Sequence, residues 1–224
     1  MKILIFDAGP IINLSMNGLL YILEELKKNF DGKFIITSQV KSEIIDKPIK
    51  IQRFEFEALN VKELFNEKIL ESLSSLNIDE NLLQKKTTEL MNKANGFIKF
   101  QGEKVKIVSE GEISCLVLSE ELSKKGIENI IAIDERTTRI LSENPKELKE
   151  IIERKMHKEV FLTTNNFSEF KKFNFIRSSE IVYVAYKKGL IKTKDPKTLE
   201  AVLYAVKFKG CSISFEEINV LKRL

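Results

Sequence analysis

Four acidic residues stand where an α/β enzyme could use them for chemistry. Asp7 and Asp134 each follow a short apolar run, KILIF and IIAI, while Glu43 and Glu112 lie near the starts of predicted helices. If folding gathers these carboxylates, they repel one another unless a cation lies between them. Oxygen ligands alone select a hard ion, Mg²⁺ or Mn²⁺, and leave positions for water and phosphate oxygens. Such a site can hydrolyse a phosphodiester with a metal-activated water and without a histidine.

Each acid taken alone also has a structural explanation. An aspartate after a strand is commonly a turn residue or a helix cap. Ser109 and Glu112 fit the S-x-x-E capping box, and the neighbouring Glu110 could exchange roles with Glu112. Glu43 lies near the first turns of its own helix, where the helix dipole favours a negative charge. The metal-site hypothesis therefore depends on the set and not on any one member.

Further polar residues near the predicted site could bind substrate. Arg136 and Arg139 follow the last aspartate on a helix, where their guanidinium groups could hold phosphates beside the metal. Pairing of these arginines with Asp134 or Glu135 is the structural alternative. Asn13, on the first predicted helix, is close enough in sequence to the first aspartate to support the site through a hydrogen bond or a water.

The hydrophobic pattern predicts strands alternating with helices, which is typical of a parallel sheet. Continuous apolar runs predict buried strands at 2–6, 34–37 and 129–133, and EVFLT predicts a further short strand. Ser38 is predicted to cap the helix that carries Glu43, and Pro48 to end it. The other predicted elements are a helix from 11 to about 28 that breaks near 17–18, a mostly helical stretch at 53–95, a hairpin or extended segment at 97–108, helices at 109–125, 135–143 and 145–156, and three C-terminal helices.

The composition is that of a globular protein with an asymmetric charge. Of the 224 residues 43% are hydrophobic and 31% charged, and no apolar run approaches the roughly 20 residues of a membrane span, so we expect a cytoplasmic protein without a signal peptide. Residues 146–224 hold seventeen basic against ten acidic residues, whereas residues 1–145 are slightly acidic. This distribution suits a metal site beside a phosphate-binding surface.

Few groups other than carboxylates are left for catalysis. His157 is the only histidine, which argues against a histidine base or a histidine-ligated zinc. Cys115 and Cys211 stand far apart and outside any CxxC pattern, so they are predicted to be buried thiols. The chain also lacks GxxxxGK[ST] and GxGxxG, which disfavours other nucleotide-binding α/β enzymes.

Four blocks, FDAGPIINL, SQVKSEI, SEGEISCL and IDERTTRIL, resemble in this order the motif blocks of PIN-domain ribonucleases, especially prokaryotic and archaeal members. The resemblance spans about residues 1–141. It implies a PIN-like, Rossmann-like three-layer α/β fold with a central parallel sheet, and Mg²⁺- or Mn²⁺-dependent cleavage of single-stranded RNA. Asp7, Glu43, Glu112 and Asp134 match the acidic positions of the family.

The resemblance leaves several points open. Glu135, Thr137 and Thr138 compete for the acid or hydroxyl that many members carry just after the last aspartate, and Thr138 is a candidate to contact substrate. We expect a nuclease domain at 1–160 with a helical insertion at about 50–108, and a mainly helical C-terminal extension at 161–224. The resemblance also suggests a homodimer. The alternatives are a non-catalytic module that binds RNA or protein, and the toxin half of a toxin–antitoxin pair with an antitoxin partner.

Overall fold

The computed structural model describes residues 2–170 and 173–224. Its strands in chain order are β1 (Lys2–Phe6), β2 (Gly32–Ile35), β3 (Leu70–Glu71), β4 (Ile98–Phe100), β5 (Glu103–Lys104), β6 (Glu128–Ala132), β7 (Phe161–Leu162) and β8 (Phe175–Ile176). Its α-helices are α1 (Ala8–Met16), α2 (Tyr21–Lys28), α3 (Ser38–Lys41), α4 (Glu55–Asn66), α5 (Glu80–Ala94), α6 (Glu110–Lys124), α7 (Arg136–Glu143), α8 (Leu148–Met156), α9 (Ser178–Lys187), α10 (Thr198–Phe208) and α11 (Phe215–Leu221).

The main sheet contains five parallel strands in the order β3-β2-β1-β6-β8. The register places Ile5 beside Ile35 and Phe6 beside Ala132, so the carboxyl ends of the central strands lie side by side. The central strand β1 is apolar because helices cover both faces of the sheet. The helices flank the sheet, with α6 against β1 and β6, α5 behind α6, and α2 and α9 against β2 and β8. The predicted three-layer α/β fold with a central parallel sheet is confirmed.

The segment 50–108, predicted to be a helical insertion, also contributes strands. Its helices α4 and α5 are joined through β3, which pairs with β2 and forms an edge of the main sheet. The expected hairpin is formed by β4 and β5, and β7 joins it to make a small antiparallel sheet. Through β3 the segment belongs to the main sheet, whereas its strands β4 and β5 belong to the small antiparallel sheet.

The C-terminal stretch likewise reaches the sheet. Its three helices are present at α9, α10 and α11, but β8 precedes them and pairs with β6 at the other edge. Helix α9 packs against α1, α2 and α10. Across residues 2–170 and 173–224, no helix is both long and apolar enough to cross a membrane.

Candidate functional site: a carboxylate cluster at the carboxyl end of the sheet

Asp7 is one of two almost fully buried acids among the predicted site residues. It directly follows β1, its side chain is 5% exposed, and it caps α1 by accepting a hydrogen bond from the Gly9 amide at 3.3 Å. Burial raises the pKa of Asp7 to about 7, and the charges of Glu112 and Glu43 act in the same direction, while the amides of Gly9 and Ala8 oppose the shift. A carboxyl group that titrates near neutrality in a cleft is a functional candidate.

Glu43 approaches the site from a widened helical turn. Helix α3 is capped by Thr37, one residue before the predicted cap Ser38, and runs directly into a π-helical turn at Ser42–Asp46 that carries Glu43. A Cβ atom added at Gly111 would lie 3.0 Å from the Glu43 carboxylate, so the glycine of the GE block permits this close approach. Burial raises the pKa of Glu43, whereas Lys47 lowers it.

Glu112 completes the group from the first turn of α6. The Ser109 hydroxyl accepts a hydrogen bond from the amide of Glu112 at 3.3 Å, which is one of the two hydrogen bonds of the predicted capping box. The Glu112 carboxylate in addition accepts a hydrogen bond from the Thr138 hydroxyl on α7. Burial raises the pKa of Glu112, and the Thr138 and Ser109 hydroxyls act against this shift. The glutamate therefore has both a local capping contact and a long-range one.

The buried thiol of Cys115 indicates independently that these three acids share one neighbourhood. Both cysteines are free and buried, as predicted. Burial raises the pKa of Cys115 well above its usual range, and the charges of Asp7, Glu112 and Glu43 all act in the same direction. The name acidic cluster is used below for Asp7, Glu43 and Glu112.

Asp134 is held differently from the other predicted ligands. It is 4% exposed and accepts hydrogen bonds from the Ser178 amide at 2.8 Å, from the Ser178 hydroxyl at 2.8 and 3.0 Å, and from the Asn13 side-chain amide at 3.1 Å. The Asn13 amide nitrogen also lies 2.8 Å from the Val206 carbonyl oxygen. Both oxygens of Asp134 are therefore occupied by donors from α1 and α9.

The remaining candidates around α7 lie in separate contacts. Arg136 is 4.0 Å from Glu147, and Arg139 donates to the Ser212 carbonyl and hydroxyl, so neither pairs with Asp134 or Glu135. Glu135 caps α7, where it accepts hydrogen bonds from the Thr137 amide and hydroxyl and from Lys155. Burial opposes the charge of Glu135, but Thr137 and Lys155 outweigh it and lower its pKa.

Glu110, the neighbour that could exchange roles with Glu112, lies outside the cluster. Its carboxylate accepts a hydrogen bond at 2.7 Å from Gln84 on α5, and its side chain is exposed. The sequence pattern missed Ser178 as a partner of the site. Its only local signal is a position at the start of a predicted helix, which does not reveal which carboxylate it contacts.

The donor chemistry of the acidic cluster fits a hard divalent cation, because all three side chains offer carboxylate oxygens. The positions of these three side chains are less suited to holding one shared ion. Within residues 2–170 and 173–224, no three Asp, Glu, His or Cys side chains are placed so that one ion could be held by all of them. Binding of one ion by all three acids would require their side chains to rotate towards one another.

A groove begins next to the acidic cluster. Its volume is about 530 Å³, and Glu43 lies in its wall together with apolar side chains of α1 and α4. Exposed apolar residues at its rim include Ile12, Met16 and Phe54, and the basic side chains Lys47 and Arg53 also line it. The groove offers space for an extended chain beside the carboxylates.

Comparison of the chain with protein-family models, with curated proteins and with solved structures finds no match. The function is therefore argued from the residues of the site.

Proposed function

We propose that this chain is a metal-dependent ribonuclease of the PIN type that hydrolyses phosphodiester bonds of single-stranded RNA. The observation that carries the proposal is the acidic cluster at the carboxyl end of a parallel sheet, with the pKa of Asp7 raised to about 7. This is the edge where ligands bind in open α/β sheets. The order of the four motif blocks in the sequence supports the same reading.

Asp7, Glu43 and Glu112 would hold Mg²⁺ or Mn²⁺. When bound, the cation would supply Lewis acidity to the scissile phosphate and lower the pKa of an attacking water. Asp7 fixes one side of the site because it is anchored at the start of α1, and Glu112 is oriented by Thr138. Glu43 reaches the site across Gly111. Burial raises the pKa values of all three, that of Asp7 to about 7, so protons compete with the cation at higher pH than they would for exposed carboxylates.

Asp134 was expected to be a fourth ligand, and we now assign it a positioning role. Its oxygens already accept hydrogen bonds from Ser178 and Asn13, so a cation would have to displace buried donors. Through these bonds Asp134 ties α1 and α9 to the end of β6. It thereby fixes the helix that begins at Asp7. Single-stranded RNA is the proposed substrate, and a homodimer or a protein partner such as an antitoxin stays a prediction.

Cleavage of a mixed-sequence single-stranded RNA in the presence of Mn²⁺ tests the proposal. Wild type should cut the RNA, and Asp7→Asn should cut about a thousandfold more slowly, since loss of the bound cation removes several kcal/mol of transition-state stabilisation. Asp31→Asn, an exposed aspartate in the turn before β2, is the matched control and should cut like wild type. Equal activity of wild type and Asp7→Asn would identify a contaminating nuclease and refute the assignment.

A non-catalytic PIN-like module that binds RNA or protein is the second candidate. Two observations favour it: the carboxylates do not converge on one point, and Asp134 is fully engaged in hydrogen bonds. Calorimetric titration with Mn²⁺ separates the two functions. A nuclease should bind the ion and gain thermal stability from it, whereas a degenerate site should do neither.

A further inference from the structure

A second concave region lies beside α7 and is distinct from the acidic cluster. Thr138 and Arg139 are neighbours on α7, but Thr138 contacts Glu112 whereas Arg139 contacts Ser212. Arg139 lines a pocket of about 550 Å³ that is bounded by α7, the start of α9, the end of α10 and the segment 211–214. The side chains that matter here are Arg136, Arg139, Arg177, Lys207, Phe208 and Ser212. This region is called the basic pocket below.

Basic side chains outnumber acidic ones in the lining of the basic pocket, although Arg139 lies 3.6 Å from Glu143 and Arg136 lies 4.0 Å from Glu147. Among its described lining residues four are basic, and only Glu143 and Glu217 are acidic. Arg177 is held in place by Glu180 at 2.6 Å and Glu217 at 2.8 Å, and burial opposes its charge, but these carboxylates outweigh that and raise its pKa. The buried Nε of Arg139 has no hydrogen-bond partner in the described structure. Clustered guanidinium groups of this kind suit phosphate oxygens.

Aromatic rings border the same pocket. Phe208, which lines it, is 73% exposed although it is a large apolar side chain. Tyr204 lies nearly parallel to Phe208 with ring centroids 6.2 Å apart, and Lys207 is 4.4 Å from the ring centroid of Phe215, which is half exposed. Exposed rings interleaved with basic side chains are what proteins use to bind single-stranded nucleic acid, by base stacking and phosphate contacts.

The basic pocket is also attached to the end of β6. The Ser212 amide and hydroxyl donate to the Asp134 carbonyl at 3.3 and 2.5 Å, and the Ser212 carbonyl in turn accepts from Arg139 and Arg177. One wall of the pocket is therefore fixed to Asp134, which lies just after β6. A strand of RNA bound there lies next to the elements that carry the acidic cluster.

We propose that the basic pocket is a binding site for single-stranded RNA outside the acidic cluster. A base stacks on Phe208, and Arg136 and Lys207 hold adjacent phosphates, while Arg139 and Arg177 keep the pocket wall in place. The inference rests on the proposed function for the choice of RNA as ligand. Binding itself needs no cation and no cleavage, so it can be tested separately.

The test measures fluorescence anisotropy of a labelled twelve-nucleotide oligouridine in EDTA, where no cleavage occurs. Phe208→Ala should weaken binding about tenfold, the usual cost of losing one stacked base. Phe208→Tyr should restore most of the affinity because it keeps the ring. Arg136→Gln should reduce the salt dependence of binding by about one phosphate contact. Because both side chains are exposed, these changes should leave the fold intact, which circular dichroism checks.

Matched controls lie elsewhere on the surface. Phe161 on β7 is 63% exposed and Arg154 on α8 has a 60% exposed side chain, so Phe161→Ala and Arg154→Gln remove the same groups outside the pocket. Both should bind RNA like wild type. Unchanged affinity in Phe208→Ala and Arg136→Gln, an equal loss in the controls, or no measurable RNA binding by wild type would each overturn the proposal, and the last outcome would point to a protein ligand.

The two proposals fail in different ways. Asp7→Asn should lose cleavage in Mn²⁺ but bind oligouridine in EDTA like wild type. If Phe208→Ala binds and cleaves like wild type while Asp7→Asn is inactive, the basic pocket is wrong and the nuclease stands. If oligouridine binding depends on Phe208 but no variant cleaves RNA, the pocket stands and the nuclease assignment fails.

Discussion

Asp7 and Asp134 occupy equivalent places in the chain but very different surroundings. Each follows a central strand of the same parallel sheet and each is almost fully buried. Asp134 accepts side-chain and main-chain donors from Asn13 and Ser178. Among the residues that the structure describes, Asp7 accepts hydrogen bonds from the amides at the start of its own helix, and it faces the charges of Glu43 and Glu112. A buried carboxylate that accepts enough hydrogen bonds can have a purely structural role. A buried carboxylate that lies among like charges is a candidate metal ligand.

The two aspartates should respond in opposite ways when Mn²⁺ binding is measured. Asp7→Asn should weaken Mn²⁺ binding about a hundredfold or more, because it removes an assigned ligand. Asp134→Asn should retain Mn²⁺ affinity within about tenfold, as expected for a residue that only supports the ligands. Isothermal titration calorimetry at pH 8 measures both constants.

A loss of Mn²⁺ affinity in folded Asp134→Asn as large as that in Asp7→Asn would break this distinction. It would return Asp134 to the role of a ligand that the sequence predicts. Circular dichroism on both variants ensures that only folded protein is compared.

The raised pKa of Asp7 predicts a pH-dependent cost to the metal-free protein. The pKa of about 7 in the folded protein lies above the ordinary aspartate value of 3.8, so the folded state retains a proton that the unfolded chain has lost. The free energy of unfolding should therefore fall as pH rises from about 4 to 7 and then level off. Asp7→Asn should remove this cost and be more stable than wild type at pH 8, by on the order of 4 kcal/mol.

Urea unfolding in EDTA at pH 5 and pH 8 checks this difference. The advantage of Asp7→Asn should shrink to on the order of 1.5 kcal/mol at pH 5. Mn²⁺ should recover much of the stability that wild type lacks at pH 8. An equal difference between the two proteins at both pH values would show that folding does not raise the pKa of Asp7.

The hydrogen bonds at Asp134 predict a smaller effect on stability, and here the substitution should destabilise the protein. Ser178→Ala removes one buried hydroxyl donor but keeps the Ser178 amide, so the free energy of unfolding should fall by about 1.5–3 kcal/mol, the range for a hydrogen bond to a charged group. Mn²⁺ affinity should stay within about twofold. Ser75→Ala, at an exposed serine, serves as the control in urea unfolding. If Mn²⁺ affinity fell along with stability, Asp134 would act on the cation directly.

Much of the fold was visible in the sequence because long elements have a clear pattern. The apolar runs predicted β1 and β6, and a capping signal predicted α6. The two edge strands β3 and β8 were missed because two residues leave no periodicity. These strands form by pairing with β2 and β6 of the main sheet, and the pairing brings segments 50–108 and 161–224 into that sheet.

The positions of the four acids along the chain were visible in the sequence, but their contacts were not. The motif blocks place Asp7, Glu43 and Glu112 at strand ends and helix starts, which are local properties of the chain. Asp134 has the same local signal, but its partners lie 44 and 121 residues away. Hydrogen bonds between residues so far apart in sequence do not affect the local pattern. The sequence therefore could not show whether Asp134 is a structural residue or a metal ligand.

Substitution of Thr138 has the smallest expected effect on Mn²⁺ binding, because Thr138 connects α7 to the acidic cluster through a single hydroxyl. Its hydrogen bond lowers the pKa of Glu112, so Thr138→Val should raise that pKa further. A proton then competes better with the cation at low pH. Mn²⁺ affinity should fall by up to about fivefold at low pH, the effect of a lost hydrogen bond of about 1 kcal/mol, and the loss should become smaller as the pH rises.

Thr138→Ser keeps the hydroxyl and should bind Mn²⁺ like wild type at pH 6 and pH 8. Calorimetric titration of the three proteins at both pH values measures the effect. A fall of the same size at both pH values would mean that Thr138 acts by packing and not through the proton on Glu112. In that case protonation of Glu112 would not limit Mn²⁺ binding. Asp7 alone would then distinguish the acidic cluster from Asp134.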